Sequence, residues 1–368
     1  MQILQISSAK NIGGGEKHLV DLCRGLHRKG HKVFVALRKE NEFEHMLGFL
    51  PVENRLHVRL RNALDVLSAR KIARFLRENE IDIVHAHLAR DYPPASMAVR
   101  LYPDSKLVIT RHVLFPMKKL HKLVLKNVSK AIAVSTAVER NLEKTFPKEK
   151  VIGIPNGIDI ERSAKINKNE LSMEFRNEHS IPLNSKLIGT VGELIALKGQ
   201  DDFVTAAAAI TARISDVHFV IVGRDNSIDM GFKKRLEQLV ESSNLNEKFS
   251  FIDWVDDTLP LLSALDVFVS SSHSESFGLA ILEAMAAGTP IVSTETDGAK
   301  ELLDDEITGL LARISDPSDL AEKVIAVLND DQKRIEFATA AKGVAREDFS
   351  LQNMIDQTLK VYKDSLSM

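Results

Sequence analysis

Short apolar runs alternate with amphipathic stretches from one end of the chain to the other. The runs are nearly continuous in apolar character, which is typical of strands buried on both faces of a parallel sheet. The stretches that separate them have helical spacing. The pattern therefore predicts an α/β protein, with strands at Ile3–Ile6, Val33–Leu37, Ile81–His85, Lys106–Thr110, Ala131–Val134, Val151–Ile154, Leu187–Val191, His218–Val222, Phe249–Ile252, Val267–Ser270 and Ile291–Ser293.

The predicted strands fall into two sets, which indicates two domains. The chain has 368 residues, which is roughly two domains long. A polar stretch at Glu161–Ser185 separates the two sets and reads as a linker with one helix. We therefore predict two Rossmann-like parallel-sheet domains that face each other across a cleft, with the boundary near residues 165 and 166.

Composition excludes several classes of protein. Hydrophobic residues make up 44% and charged residues 27%, as in soluble globular proteins. Aromatic residues are only 5%, which argues against a nucleic-acid stacking surface. The single cysteine, Cys23, excludes a disulfide framework and fits a reducing compartment. No signal peptide or transmembrane stretch is predicted, so we expect a cytoplasmic protein.

The net charge of −2 conceals an uneven distribution. Residues 1–165 contain 30 Lys and Arg against 17 Asp and Glu, an excess of 13 positive charges. The remaining residues contain 19 basic and 34 acidic side chains, an excess of 15 negative charges. This asymmetry predicts a first half that is suited to an anionic partner.

The most informative segment is His273–Pro290, which reads HSESFGLAILEAMAAGTP. Its apolar spacing predicts a helix that begins near Gly278 and ends at Gly288. The free N–H groups at a helix start attract phosphate groups. Glu275 lies on the loop before the helix, and Glu283 lies more than one turn into it. Carboxylates beside a phosphate site suit a ligand that also carries hydroxyl groups, as a nucleotide sugar does.

The spacing Glu-x7-Glu, followed by Ala-Met-Ala-Ala-Gly-Thr-Pro, resembles the retaining GT-B glycosyltransferases of family 4, and the resemblance covers nearly the whole chain. It implies an enzyme that transfers a sugar from a nucleotide donor to a saccharide or lipid-linked acceptor, in cell-envelope glycan or lipopolysaccharide synthesis. It also implies that the amides of Phe277, Gly278 and Leu279 bind the donor phosphates. Glu283 would then bind the ribose and Glu275 the transferred sugar, with no cofactor.

A Gly-Glu-x4-Lys-Gly segment that begins at Gly192 resembles the family's Gly-Arg…Lys-Gly segment, whose two cations neutralise the donor diphosphate. Lys198 is kept, and the resemblance implies a catalytic role for it. The arginine is replaced by Glu193, which would repel a diphosphate. Either Glu193 turns away or another cation compensates, and Arg224 and Arg111 are the candidates.

The loop after the first predicted strand contains Gly13, Gly14 and Gly15. It is not a dinucleotide fingerprint, because Gly-x-Gly-x-x-Gly is missing and the second strand ends in the basic Arg38. The resemblance implies that Gly14 and Gly15 approach the donor phosphates or the acceptor closely, since they lack a side chain. A purely structural turn is the alternative.

His112 stands just past the carboxyl end of a predicted strand, where open α/β sheets place ligand sites. It matches the family histidine that lies beside the reacting sugar, with a structural role as the alternative. His85 and His87 form a His-x-His pair. Two histidines without further ligands do not establish a metal site, and the family needs no bound metal, so we predict none.

The tail Glu347–Tyr362 predicts an amphipathic helix with Ser350 as its N-cap. The resemblance implies that this helix crosses back to the first domain. That domain would then comprise residues 1–165 plus about 350–368, and the donor domain residues 166–349. A terminal helix that stays on the second domain is the alternative.

A basic segment at Pro116–Lys130 predicts a helix, with an apolar stripe and a lysine-rich face. Basic residues near an anionic leaflet contribute about 1 kcal/mol each. We therefore expect peripheral binding to the inner face of the cytoplasmic membrane, with a solvated helix on the sheet as the alternative. The stripe consists of Met117, Leu120, Val124 and Val128, and the lysines are Lys118, Lys119, Lys122 and Lys126.

Two other functions share the predicted fold and nucleotide site. A sugar-nucleotide epimerase would interconvert free nucleotide sugars without an acceptor. A non-catalytic nucleotide-sugar binding protein would bind without turnover, and the reversed charge at Glu193 is its best support. Donor, acceptor and linkage do not follow from the sequence.

Overall fold

A computed structural model describes residues 1–60, 65–117, 119–164 and 167–367. The chain forms two compact units. The first unit consists of Met1–Gly157 together with the segment that starts at Leu351, and the second unit is Ile158–Ser350. Within the described ranges, none of the helices combines the length and the apolar character needed to span a bilayer.

Each unit is built on a parallel β-sheet, as the continuous apolar runs predict. The described strands are β1 Gln2–Ser7, β2 Lys32–Arg38, β3 Arg55–Val58, β4 Ile83–Ala86, β5 Lys106–Arg111, β6 Val128–Ala133, β7 Val151–Gly153, β8 Lys186–Val191, β9 Val217–Val222, β10 Phe249–Ile252, β11 Val267–Ser270, β12 Ile291–Thr294 and β13 Leu310–Ala312. Their order is β3-β2-β1-β4-β5-β6-β7 in the first unit and β10-β9-β8-β11-β12-β13 in the second. Both orders reverse at one point, between β1 and β4 and between β8 and β11, so the predicted Rossmann-like fold is confirmed.

Helices connect the strands and cover the sheets. The described helices are α1 Gly14–Arg28, α2 Val66–Glu78, α3 Tyr92–Leu101, α4 Lys119–Val124, α5 Thr136–Leu142, α6 Ile160–Ala164, α7 Lys168–Glu178, α8 Gln200–Thr211, α9 Gly231–Ser242, α10 Leu259–Ala264, α11 Leu279–Ala287, α12 Asp297–Leu302, α13 Pro317–Leu328, α14 Asp331–Asp348 and α15 Leu351–Leu366. The stretch Glu161–Ser185, in which one helix is predicted, holds most of α6 and all of α7. The core of the second unit includes the rings of Phe203, Phe219 and Phe249, which lie 5.0–6.1 Å apart.

Two strands at sheet edges are absent from the sequence prediction. β3 alternates polar and apolar residues, and only Leu56 and Val58 in it are buried. β13 is three residues long. Neither strand shows the continuous apolar run that marks the central strands, because an edge strand is covered less completely.

The helix predicted over Pro116–Lys130 is wrong in its extent. α4 covers only a short part of that segment, and Val128 begins β6. Val128 is fully buried and pairs with Leu107 of β5, so strand pairing overrides the helical spacing of the segment. Lys118 lies outside the described residues, as do the side chains of residues 119–121.

Helix α15 packs on the first unit, as the resemblance implies. Gly25 of α1 makes room for it, because a Cβ atom there would lie 2.0 Å from Ile355 Cδ1. Lys29 Nζ and Asp356 Oδ1 form an ion pair at 2.7 Å. The fully buried Tyr362 accepts a hydrogen bond from Gln5 Nε2 at 3.0 Å. The chain thus starts and ends in the same unit.

Candidate active site

The loop between β11 and α11 carries the predicted phosphate cradle. Helix α11 begins at Leu279, and Gly278 caps it with a φ of 95°, a left-handed conformation that favours glycine. The first N–H groups of this helix have no acceptor within the helix. Phe277 is buried, and its ring packs edge-on against Phe349 at 5.9 Å.

Lys198 approaches this loop from the end of β8. It closes a short 3-10 turn that Gly199 terminates with a φ of 60°. A Cβ atom on Gly199 would lie 2.1 Å from the carbonyl oxygen of Ser271, so a larger residue cannot fit there. His273 N–H donates to the carbonyl of Leu197 at 2.9 Å. These contacts hold the lysine loop against the loop that follows β11.

The two loops bring Lys198 and Glu275 into direct contact. Lys198 Nζ donates to Glu275 Oε1, and the two side chains are mostly buried. Ser272 Oγ donates to the same carboxylate oxygen at 3.1 Å. Gly192 borders the lysine, since a Cβ atom there would lie 3.8 Å from Lys198 Cε. The structure therefore joins two of the predicted catalytic residues as an ion pair.

Glu283 lies further along α11 and is partly buried. Thr258 Oγ1 donates to Glu283 Oε2 at 2.9 Å. Thr258 is buried at the start of α10, and it holds the carboxylate in one orientation. Thr258 and Ser272 are site residues that the sequence analysis missed, because an isolated hydroxyl residue carries no distinctive signal.

Glu193 is exposed on the loop after β8. Its Oε1 accepts a hydrogen bond from Asn226 Nδ2 at 2.9 Å, so the carboxylate is held by a neutral amide. Arg224, a candidate compensating cation, donates from Nε to Asp253 Oδ1 at 2.9 Å. Arg111, the other candidate, belongs to the first unit, where its guanidinium donates to the carbonyl of Phe115.

Gly14 and Gly15 form the first turn of α1, which starts at the carboxyl end of β1. A Cβ atom on Gly15 would lie 3.7 Å from the ring of His112, which is an ordinary contact distance. His112 follows β5 directly, at the same edge of the sheet. The structure therefore brings these predicted residues together in the first unit, while the other predicted site residues lie in the second.

Two further histidines surround His112. Its ring centroid lies 4.8 Å from that of His18 and 5.6 Å from that of His87. His87 Nδ1 is 3.3 Å from His112 Nε2, and His87 Nε2 is 2.8 Å from Gln5 Oε1. Because an amide oxygen only accepts, His87 Nε2 carries the proton and Nδ1 presents its lone pair to His112.

The polar cluster continues towards α15. His85 Nδ1 lies 2.6 Å from the Tyr362 hydroxyl, and His85 Nε2 lies 2.7 Å from Thr110 Oγ1. The Tyr362 hydroxyl in turn bonds Gln5, which bonds His87. His85 is therefore a satisfied core residue, and the cluster anchors the last helix to the neighbourhood of His112.

Burial keeps these imidazoles neutral. Loss of hydration lowers the pKa of His18 to about 4, and the Asn156 side chain opposes the shift to a smaller degree. Burial also lowers the pKa of His85, His87 and His112 well below 6.5, and neighbouring imidazoles lower each further.

A buried carboxyl group lies near the same edge of the sheet. Asp91 Oδ2 accepts from the backbone N–H of Ser8 at 2.9 Å, and the side chain is fully buried. Burial raises the pKa of Asp91 to about 7, in spite of this hydrogen bond. The first unit therefore places neutral imidazoles and a weakly acidic carboxyl group at the carboxyl ends of its strands.

Comparison with known proteins agrees with this geometry. The family model of glycosyl transferases group 1 matches residues 172–344, and that of glycosyltransferase family 4 matches residues 12–162. An N-acetyl-alpha-D-glucosaminyl L-malate synthase from Bacillus anthracis is 24% identical over 98% of this chain and 96% of its own. A lipopolysaccharide core biosynthesis glycosyltransferase from Rhizobium meliloti is 23% identical over 95% of each chain.

The solved structure of Anabaena HepE in complex with UDP and glucose has a TM-score of 0.87 to this chain, with 23% sequence identity and 99% of both chains covered. The fold is thus that of GT-B glycosyltransferases. One family model matches most of each unit, and the chain belongs to the glycosyltransferases that these two models describe.

Proposed function

We propose that this enzyme transfers a sugar from a nucleoside diphosphate donor to a saccharide or lipid-linked acceptor, with retention at the anomeric carbon. The observation that carries the proposal is the contact of Lys198 with Glu275 beside the start of α11. It supplies a cation, a carboxylate and the first backbone amides of α11 within one loop cluster. A donor that carries phosphates and hydroxyl groups needs these three kinds of partner.

The diphosphate binds at the start of α11 in this proposal. The amides of Phe277, Gly278 and Leu279 and the positive end of the helix dipole favour an anion there. Lys198 adds a full positive charge. Because charge grows on the departing diphosphate as the glycosidic bond breaks, fixed donors and a cation stabilise the transition state more than the bound substrate.

The two carboxylates divide the recognition of hydroxyl groups. Glu283, held by Thr258, accepts hydrogen bonds from the ribose. Glu275 accepts from hydroxyls of the transferred sugar once Lys198 turns towards the phosphates. On donor binding, the two members of the ion pair thus separate. Lys198 then contacts the phosphates and Glu275 contacts the sugar hydroxyls.

The first unit contributes the acceptor side. By the resemblance to family 4, His112 lies beside the reacting sugar, and Gly14 and Gly15 let the backbone approach the substrates. Burial keeps the His112 imidazole neutral, so it acts as a hydrogen-bond partner and adds no charge. One relative is named a lipopolysaccharide core biosynthesis glycosyltransferase, and on that ground we propose an acceptor from cell-envelope synthesis.

A donor panel tests this proposal. The protein is incubated with UDP-, GDP- and ADP-sugars, with and without lipid extract and saccharide acceptors, and the products are separated by mass. We expect nucleoside diphosphate release that depends on an acceptor, with the α configuration of the donor kept in the product. Interconversion of the donor without an acceptor would indicate an epimerase, and binding without turnover would indicate a sensor.

A further inference from the structure

Three histidines from separate parts of the first unit converge at one edge of its sheet. His18 lies on α1, His87 directly after β4 and His112 directly after β5. One ring nitrogen from each lies within 4.8 Å of the other two. Successive strands and the first helix place them there, so the cluster is a product of the fold.

We propose that His18, His87 and His112 form a binding site for a divalent cation of the Zn²⁺ class. Imidazole nitrogen is a preferred ligand of Zn²⁺, and three histidines with one open position form a familiar type of zinc site. Nothing in the activity of the enzyme assigns such a site to it.

The separation of two of the ligand atoms, those of His87 and His112, fits this cation. Zn–N bonds are about 2.0–2.1 Å long, so two nitrogens of a tetrahedral site lie about 3.3 Å apart. His87 Nδ1 and His112 Nε2 are 3.3 Å apart. The same distance suits a long N–H···N hydrogen bond between two neutral rings, so either a proton or a metal ion occupies the space between them.

Gln5 orients His87 as a ligand. The amide oxygen of Gln5 accepts from His87 Nε2, which leaves the Nδ1 lone pair directed at His112. A metal-bound histidine commonly donates its other N–H to such an acceptor, which fixes both tautomer and ring orientation. Gln5 is itself held by Tyr362, so the orientation is supported by a fully buried residue of α15.

The surroundings of His18 favour a metal ion over a hydrogen bond between His87 and His112. It is nearly completely buried, and neither ring nitrogen makes a hydrogen bond of normal geometry, although the Asn156 side chain lies near enough to raise its pKa to a small degree. Burying a polar ring without partners costs free energy that a ligand would recover. A hydrogen bond between His87 and His112 leaves His18 unsatisfied, whereas a metal ion satisfies all three.

The protonation state and the access route agree with this site. A metal ion needs neutral imidazoles, and burial keeps the pKa of all three below neutral pH. His112 is only partly buried, so one of the three residues is accessible to solvent. The nearby Arg111 lowers the pKa of His112 further and opposes a cation, so the affinity reflects a balance of these effects.

The test is metal binding by the full chain without a histidine tag, after treatment with a chelator. Zn²⁺ is titrated at pH 7 in competition with a chromogenic chelator. We expect one Zn²⁺ per chain and no comparable binding of Mg²⁺, which prefers oxygen ligands. His18→Phe should abolish this binding, and Gln5→Met should weaken it about 10–100-fold as loss of an outer-shell partner does.

His57→Phe is the matched control, since His57 is exposed in the same unit and contacts Glu44. It should bind Zn²⁺ as the wild type does. Circular dichroism and thermal melting check that each variant is folded. A second measurement needs no variant: Co²⁺ bound by the wild type should show the strong visible absorption of tetrahedral coordination. Absence of that spectrum, or equal Zn²⁺ binding by His18→Phe, would overturn the proposal.

Discussion

Lys198 and Glu275 are 77 residues apart in the chain and form an ion pair at the mouth of the α11 loop. In the proposed donor complex, each residue gives up the other as its partner. In the free enzyme, the pair therefore neutralises a mostly buried carboxylate and a mostly buried cation. It avoids the free-energy cost of burying either charge without a partner.

Replacement of the two glutamates should separate nucleotide binding from turnover. Glu283→Ala removes the proposed ribose acceptor and should weaken nucleoside diphosphate binding by about 1.5–3 kcal/mol. Glu275→Ala should lower kcat more than nucleotide affinity, because in the proposed complex its carboxylate binds the sugar and not the nucleotide. Calorimetric titration with the nucleotide and steady-state kinetics measure the two effects. Identical behaviour of both variants and the wild type would rule out this donor site.

Loss of Lys198 should affect the transition state more than the ground state. Lys198→Ala should lower kcat on the order of 100-fold, as removal of a charge-stabilising donor does, with a smaller change in donor affinity. Lys234→Ala, an exposed lysine of α9, is the control and should leave both unchanged. A Lys198 variant with raised KM and unaltered kcat would assign the lysine to simple binding.

Glu193→Arg tests the departure from the family pattern. The carboxylate is exposed and bonded to Asn226, so an arginine fits there without loss of a buried contact. If the position faces the diphosphate, the new cation should tighten donor binding, and this gain should shrink at high salt. Unchanged affinity would show that the position faces away. A loss of activity would show that Glu193 has a role of its own.

Acid should destabilise the first unit through His18. Its pKa is about 4 in the folded protein, against an ordinary value of 6.5. A lowered pKa contributes stability that is present above pH 6.5 and lost as the pH falls through 4. By linkage this amounts to roughly 3 kcal/mol. His18→Phe should therefore lose less stability than the wild type between pH 7 and pH 5, in thermal melts with a chelator present.

An equal pH dependence in His18→Phe and the wild type would assign the acid sensitivity to other groups. His57→Phe serves as the comparison, because His57 is exposed and lies outside the cluster.

Membrane association is a prediction of the charge distribution. Residues 1–165 carry an excess of 13 positive charges, and Lys122 and Lys126 are exposed near the exposed Leu123. We expect binding to anionic vesicles at low salt and release at high salt, with about 1 kcal/mol per basic residue. The double variant Lys122→Glu and Lys126→Glu should bind less, and Lys234→Glu should not. Failure of the wild type to bind at low salt would contradict this prediction.

The structural features that the sequence predicts are those that depend on residues close together in the chain. The start of α11 at Gly278 and its end at Gly288 follow from neighbouring residues, so the loop and the Glu275–Glu283 spacing could be read directly. The central strands were found for the same reason, because their burial on both faces makes them continuously apolar. The helix predicted across Val128 fails, since pairing with β5 decides the structure there.

Contacts between distant segments could not be read in the same way. His18 meets His87 and His112 because a helix start and two strand ends share one sheet edge. That juxtaposition requires the strand order, which spacing alone does not give. The pairing of Lys198 with Glu275 likewise depends on the adjacency of β8 and β11.

Because α15 belongs to the first unit, that unit can finish folding only after α15 has been synthesised. The ribosome releases Gln5 and His85 early, but their shared partner, Tyr362, is synthesised 277 residues after His85. Until Tyr362 is synthesised, Gln5 and His85 lack this hydrogen-bond partner in the core. The space over Gly25 also remains without the side chain of Ile355. A nascent chain that is truncated before Leu351 therefore presents an unfinished first unit beside a second unit whose residues are all in place.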